Sequence, residues 1–302
     1  MIREDIDQLI EEITRTHRPE DIFEAKKDFQ EISGKIFEDD KSYESRIGSF
    51  LEWYTFDRAA PDSGLTPLQH YLQNLDRSID PEKKELAEAI SKSIHGLFIA
   101  KKIKSDCVFV VDIMNDLKYR VLETLGSTLF NFDDIFEGRL IPYKDKFYFT
   151  DHFCYHPKAT AGFIRAKVKS LNTQEKEALS REKRLLKDIA IPRKKLSKIT
   201  AKIEKLNGKF TGVTKDKKIQ SLKEELAKLE SPIEQLKTQI SDRVQQLHEL
   251  RTVVIEGEHR HNRFAFIRKL SYMNLKWERS RQIDVRDIYQ DLCPNEPTLK
   301  RY

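Results

Sequence analysis

The chain has 302 residues, 38% of them hydrophobic and 35% charged, with a formal net charge of +5. Its charged fraction is well above the roughly 25% of an average soluble domain, so part of the chain is expected to be extended, solvated helix. Apolar runs such as His95–Ala100 and Val108–Val111 fall far short of the ~18 residues of a membrane span, and Met1–Asp7 has no apolar signal-peptide core. Three scattered cysteines, Cys107, Cys154 and Cys293, are too few for a disulfide framework, so a cytoplasmic protein is expected.

Charge is unevenly distributed. Residues 1–104 carry a net −6, 105–157 a net −4, 158–252 a net +12 and 253–302 a net +3. A split of this kind suggests an anionic partner for the basic half, or self-neutralisation between the halves.

Residues 4–104 read as a bundle of four or five helices. Pro19, Glu20 and Asp21 suit a first helical turn, where the missing N–H and the helix dipole favour them, and Gly34 ends the apolar run that follows. Tyr43, Ile47, Phe50, Leu51 and Tyr54 form a second stripe. Thr66-Pro67-Leu68-Gln69 has the form of a capping box. Asp80-Pro81-Glu82 opens another helix, with a stripe through Leu86, Ile90, Ile94, Leu97 and Phe98. The aromatic cluster around Trp53 reads as core.

From 106 the period changes to two. Val108–Val111, Tyr119–Glu123, Thr128–Phe132, Arg139–Tyr143 and Lys146–Tyr155 read as short strands, with turns at Asn115-Asp116 and Lys144-Asp145. Together they suit a small barrel of SH3-like or OB-like size in 105–157. Phe50–Tyr54 with Asp57-Arg58, then Asp134–Pro142, then Phe153–Pro157 are similar to an uncharacterised family of proteins from myxobacteria and related predatory bacteria. That resemblance covers roughly residues 25–165. It implies a bacterial, cytosolic setting and no activity or catalytic residues.

His152, Cys154 and His156 alternate along one expected strand and are weak zinc candidates, with His259 or His261 as a further ligand. Positions two apart on a strand are separated by about 7 Å, however, too far for three neighbours to converge on one ion. No metal and no cofactor is expected.

Residues 158–252 carry the clearest pattern. Leu179, Leu186, Ile189, Leu196, Ile199, Ile203 and Leu206 keep largely to heptad spacing, as do Ile219, Leu222, Leu226, Leu229, Ile233, Leu236, Ile240, Val244 and Leu247. A tip at about 207–216, with two glycines, separates the arms. The expected element is an antiparallel coiled-coil hairpin, closed within one chain or swapped between chains, with an elbow where Pro192 and Pro232 face each other. Arg181, Lys183, Arg184, Lys187, Arg193, Lys194, Lys195, Lys198 and Lys202 crowd the first arm, and Lys209 and Phe210 sit at the tip. Thr252–Ile255 suits a strand, His259–Arg263 a basic loop, and Phe264–Trp277 an apolar segment that packs back on the body in 253–302. The tail after Pro294 reads as disordered.

The expected fold class is thus α+β, mostly α: a helical bundle, a small β-barrel, an inserted hairpin and a returning C-terminal segment. No Gly-rich phosphate loop, Gly-x-Ser-x-Gly elbow, His-Glu-x-x-His or Cys-x-x-Cys is present, which favours a non-catalytic adaptor. In that reading the hairpin engages another protein or a second copy. The alternatives are a ribosome- or nucleic-acid-associated factor that holds phosphates on the basic arm, and a metal-dependent enzyme.

Overall fold

The structure is a computed structural model that describes residues 2–75, 79–123, 126–210, 216–280 and 282–291. It divides into two compact units: a body, Met1–Lys169 with Phe264–Tyr302, and a helical unit, Ser170–Arg263. The fold class is α+β, mostly helical, with one small β-barrel.

Five helices open the body: α1 (Ile2–Arg15), α2 (Pro19–Ser33), α3 (Tyr43–Glu52), α4 (Pro67–Gln73) and α5 (Pro81–Ile90), with a π-helical turn, Trp53–Asp57, extending α3. Their ends follow local chemistry. Pro19 opens α2, and Gly34 closes it at φ 89°, a conformation a side chain would strain. Around α4, the Thr66 hydroxyl accepts from the Gln69 N–H, and the Gln69 amide oxygen accepts from the Thr66 N–H. Asp80 caps α5 through the Glu82 N–H. Ile6, Leu9, Ile10 and Ile13 of α1 pack with Leu68, Leu86 and Ile90 in one core, while Ala25, Phe29, Phe50, Trp53 and Tyr54 form a second.

Six strands follow: β1 (Ile94–Ile103), β2 (Cys107–Asp112), β3 (Leu117–Leu122), β4 (Ile135–Tyr143), β5 (Lys146–Phe149) and β6 (Cys154–His156), with a short helix, α6 (Gly126–Leu129), between β3 and β4. Strand order β1-β2-β3-β5-β4 with a further β1–β4 pairing closes a five-stranded barrel, to which β6 adds along β4. All pairings are antiparallel except β3–β5. Lys144 and Asp145 both take positive φ in the turn between β4 and β5, as a two-residue hairpin requires. Phe98, Ala100, Val108, Val110, Val121, Phe136, Leu140 and Phe149 fill the interior with Phe130 and Phe153.

Several boundaries differ from the sequence reading. Ile94, Leu97 and Phe98 continue no helix; they begin β1, so the barrel starts at Ile94, eleven residues earlier than 105. Both faces of β1 are covered over Gly96–Ala100, which gives a continuous apolar run that a helical stripe also fits. Thr128 and Leu129 belong to α6, not to a strand. Lys146–Tyr155 is broken into β5 and β6, which pair with successive stretches of the same edge of β4, opposite β1, with the register shifted by two residues between them.

In the helical unit, α7 (Ala161–Phe210) enters from the body and is followed by α8 (Asp216–Glu249), a π-helical segment (Leu250–Glu258) and α9 (His259–Arg279), which continues into the body. Thr252–Ile255 is helical, not a strand, and His259–Arg263 opens α9 instead of forming a loop. From Ile233 to Glu256 the sequence holds no proline or glycine to stop a helix, and the β-branched run sits in the wider π turns. Lys202 pairs with Glu225 at 2.9 Å, Glu182 with Arg251 at 2.6 Å, and Glu175 with Arg263, so numbers rise along α7 as they fall along its partner segment. Ala178, Ile189, Pro192 and Leu206 of α7 are buried, as are Leu222, Leu247 and Leu250. Leu179, Leu186 and Val244, placed on the apolar stripe by the sequence reading, are 39, 44 and 40% exposed. The α7 stripe runs instead through Ala178, Glu182, Leu185, Ile189, Pro192, Leu196, Ile199, Ile203 and Leu206, all buried or half-buried in steps of four and three. In the body, α9 buries Phe266, Ile267, Leu270, Met273 and Leu275. A four-residue helix, α10 (Val285–Ile288), ends the described chain. The tail after Pro294, Cys293 and much of the tip lie outside the described residues.

Candidate functional site

The basic residues singled out on α7, Arg181, Lys183, Arg184, Lys187, Arg193, Lys194, Lys195, Lys198 and Lys202, are all exposed. Among the described residues of their own unit only Lys202 is ion-paired, to Glu225. They are not equivalent in direction. Projected at 100° per residue, Lys183, Lys187, Lys194 and Lys198 fall on one side together with three lysines the sequence reading left out of the cluster: Lys176, Lys205 and the tip residue Lys209. Lys176, Lys187, Lys198 and Lys209 repeat every 11 residues, and so do Lys183, Lys194 and Lys205. Eleven residues are close to three helical turns, so the two series form one band within an arc of about 80°. The band extends about 50 Å along the helix at 1.5 Å per residue.

No acid interrupts it. The other residues on that side between 172 and 209 are Asn172, Thr173, Ser180, Arg184, Ala190, Ile191, Ala201, Lys202 and Gly208. The acids of α7 lie elsewhere: Glu175 and Glu182 pair with arginines, and Glu177, Asp188 and Glu204 fall outside the arc. The 11-residue period was legible in the sequence, but counting charges without phasing them hides it. The side chain of Phe210 lies outside the described residues.

Pro192 is buried and Pro232 half-buried, and α7 and α8 run on through them. Each lacks the N–H that would bond the carbonyl four residues before it.

His152, Cys154 and His156 do not converge. His152 lies on the connection before β6 and packs on α3 where Gly48 leaves room; a Cβ there would fall 2.1 Å from its ring. Burial pushes the Cys154 thiol up to about 12, against the nearby Arg46, so it stays protonated. His156 Nδ1 lies 3.1 Å from the Tyr289 hydroxyl, and burial lowers its pKa to about 4 although Glu137 opposes this. His259 and His261 belong to the other unit. Among the described residues no group of three or more His, Cys, Asp or Glu side chains is placed to hold a metal ion.

What the sequence reading missed is a buried ionic network on the outer side of β4. Phe136 and Leu140 point into the barrel, so Glu137 and Arg139 point out of it, under the helices. Glu137 accepts from the Ser271 hydroxyl and from Arg268 Nη1 at 3.2 Å, and lies 2.7 Å from His95 Nε2. Burial alone would raise its pKa, but Arg268, His95 and Ser271 together hold it down at about 2. Arg139 donates to Glu52 at 3.1 Å, to Ser93 at 3.0 Å and to Asp57. Each of these carboxylates is engaged by a cation, an arrangement that positions helices. The one hint in the sequence was two charges alternating within an otherwise apolar strand.

Residues 1–195 match a family of unknown function (DUF7986). The chain belongs to that family. The DUF7986 match begins ahead of residue 25 and runs beyond 165, through most of the body and into the basic stretch of α7 as far as Lys195. No curated protein and no solved structure matches the chain. Among the described residues no helix is long and apolar enough to cross a membrane.

Proposed function

We propose that this protein acts by binding rather than by catalysis, and that its helical unit is the contact element, a basic arm laid along the phosphates of a nucleic acid. The observation that carries the reading is the acid-free lysine band of α7, seven residues from Lys176 to Lys209. A merely solvated helix face mixes signs and gains from pairs of opposite charge three or four residues apart. A single-sign row is repelled by itself and gains most from a polyanion. The stripe of α7 and the ion pairs to α8 and the segment beyond favour an antiparallel coiled-coil hairpin. Ten residues along each helix from the Lys202–Glu225 pair stand Pro192 and Gln235, within one turn of Pro232, which supports a shared elbow. The barrel points the same way. Its strand order, parallel β3–β5 pair and intervening helix are those of an OB-type barrel, whose β2–β3 face binds oligonucleotides. On that face Phe109 stands in register between Lys102 and Arg120. We place the protein in the cytoplasm, where such partners abound.

The test is fluorescence anisotropy of a labelled duplex at increasing salt. Affinity is expected to fall linearly on a log–log plot, with about 0.9 of slope lost for each lysine that meets a phosphate. Lys183→Gln, Lys187→Gln, Lys194→Gln and Lys198→Gln together should cut the slope by three to four (about 0.9 each) and weaken binding to every sequence alike. Binding indifferent to salt and to these substitutions overturns the reading.

A second reading is a protein adaptor, and the exposed Leu179 and Leu186, one heptad apart beside the stripe, favour it. Partners captured from lysate that survive nuclease and are lost on Leu179→Asp with Leu186→Asp would replace the nucleic-acid reading by this one.

A further inference from the structure

A cavity of about 340 Å³ lies in the body between α2, α3, β4, the segment before β6 and α9. Pockets of this size suit small molecules. Among the side chains lining it, three are cationic, Lys41, Arg46 and Arg268, and three acidic, Glu137, Asp151 and Glu278. These charges are not matched evenly. Arg268 is opposite Glu137 at 3.2 Å, and Asp151 is held by Arg3 at 2.8 Å. Among the lining side chains that leaves Lys41 and Arg46 against Glu278, while Glu137 and, outside the lining, Asp40 act on Arg46 without forming an ion pair with it.

Arg46 is the anomaly. It is only 8% exposed, yet it makes no ion pair with any described residue. Its Nη2 donates to two neutral carbonyls, Ser33 at 2.8 Å and Gly34 at 2.9 Å, and its Nε is buried without a hydrogen-bond partner. A buried guanidinium without a counter-ion is costly, and proteins ordinarily pair it or place it where an anion comes. A second, independent feature faces the same cavity. The N-terminus of α3, a helix of ten residues, has no side-chain cap. Ser42, at the capping position, turns its hydroxyl to Glu278 Oε2 at 2.7 Å instead. Ser42 and Ser45 both line the cavity, so the positive end of the helix lies beside the space that Arg46 flanks, although the Tyr43 N–H is already taken by the Asp40 carbonyl at 3.1 Å.

We infer that this cavity binds a small monocarboxylate, with Arg46 and the first turn of α3 holding the carboxylate and Glu278 accepting a hydrogen bond from a donor elsewhere on the ligand. One negative charge neutralises the surplus left by Lys41 and Arg46 against Glu278. A phosphate dianion over-neutralises it and meets Glu278 and Asp151 as like charges. The site is separate from the arm and independent of the function proposed for it.

The experiment is NMR titration of the full-length protein with glycolate, acetate and inorganic phosphate, read at backbone amides. Glycolate should bind saturably, with the largest shifts at residues 42–46, more tightly than acetate and more tightly than phosphate. Arg46→Gln keeps a donor for the Ser33 and Gly34 carbonyls while removing the charge, and should weaken glycolate about tenfold or more, the effect of losing one charge-assisted hydrogen bond. Lys41→Gln, at an exposed position where folding is safe, should weaken it by a smaller factor of about two to three. It decides the matter if Arg46→Gln does not fold. No saturable binding overturns the inference, as do shifts centred elsewhere, phosphate binding tighter than glycolate, or glycolate affinity unchanged in both variants.

Discussion

The body and the helical unit handle charge in opposite ways. Around β4 the charges are buried, few and matched: Glu137 with Arg268 and His95, Arg139 with Glu52 and Asp57. Along the band of α7 they are exposed, numerous and of one sign, and of the nine singled-out basic residues only Lys202 is paired among the described residues of its unit. A charge buried under helices is held by the fold and fixes it. A charge on a solvated band contributes almost nothing to folding, so its arrangement reports on what lies outside the chain. The contrast therefore separates residues that specify structure from those offered to a partner, and it can be broken from either side.

The largest effect is expected at Arg139. Arg139→Met leaves the buried Glu52 carboxylate without its cation, and breaking a buried pair by removing one partner costs about 3–5 kcal/mol. Chemical denaturation of the body should register that loss. A cost below about 1 kcal/mol would mean that the network is ornamental.

Acid should expose the buried groups of the body in two stages. The folded pKa of His156, about 4, is depressed from 6.5, so the fold holds it neutral. Its contribution is whole above pH 6.5 and is lost as pH falls towards 4, where the unfolded chain takes a proton that the fold refuses. The folded pKa of Glu137, about 2, is depressed from 4.5. Its contribution is present above pH 4.5 and disappears between there and 2. Denaturation measured across pH 7 to 2 should show both slopes, with His156→Gln flattening the upper one and Glu137→Gln the lower. A single slope unchanged by both variants would refute the assignment.

How much of this was legible in the sequence depended on range. Caps and turns act within four residues, so Thr66 with Gln69, Asp80, Gly34 and Lys144-Asp145 were read correctly. Ile94–Phe98 was misread because a strand covered on both faces shows no alternation, and its apolar run also satisfies a helical stripe. The network around β4 was invisible for a different reason. Its pairs span 42 to 134 residues, and no local pattern encodes which distant helix will cover a strand. On α7 the apolar period was found but phased one residue off at its start, since Leu179 and Leu186 outweigh Ala178 and Leu185 in hydrophobicity. The neighbouring polar residues decide the phase. Glu182 pairs with Arg251, which turns that side of the helix inward.

That phasing predicts a smaller, paired effect. Ile189→Ala removes a side chain 4% exposed and should cost about 2–4 kcal/mol, whereas Leu186→Ala, at a position 44% exposed, should stay within about 0.5 kcal/mol. Thermal unfolding of the two variants, compared with the parent chain, separates them. Equal losses would restore the phase read from the sequence alone and put the lysine band on a different side of the helix.

The smallest effect is the most telling. Replacing Lys183, Lys187, Lys194 and Lys198 by glutamine removes four positive charges from the helical unit. If those lysines were held by the fold, as Arg139 is, the protein would unfold more easily. If they serve a partner, stability should change by no more than about 0.5 kcal/mol, or rise slightly as repulsion along the band is relieved. The sign is informative because the lysines stand four, seven and eleven residues apart on one side of a helix, where like charges destabilise each other. A band retained against its own repulsion has no folding role to explain it. Denaturation of the quadruple variant at low and high salt measures this directly: the parent should gain stability as salt screens the band, and the variant should gain less. A variant distinctly less stable than the parent would return these lysines to the fold and remove the ground for assigning them to a polyanion.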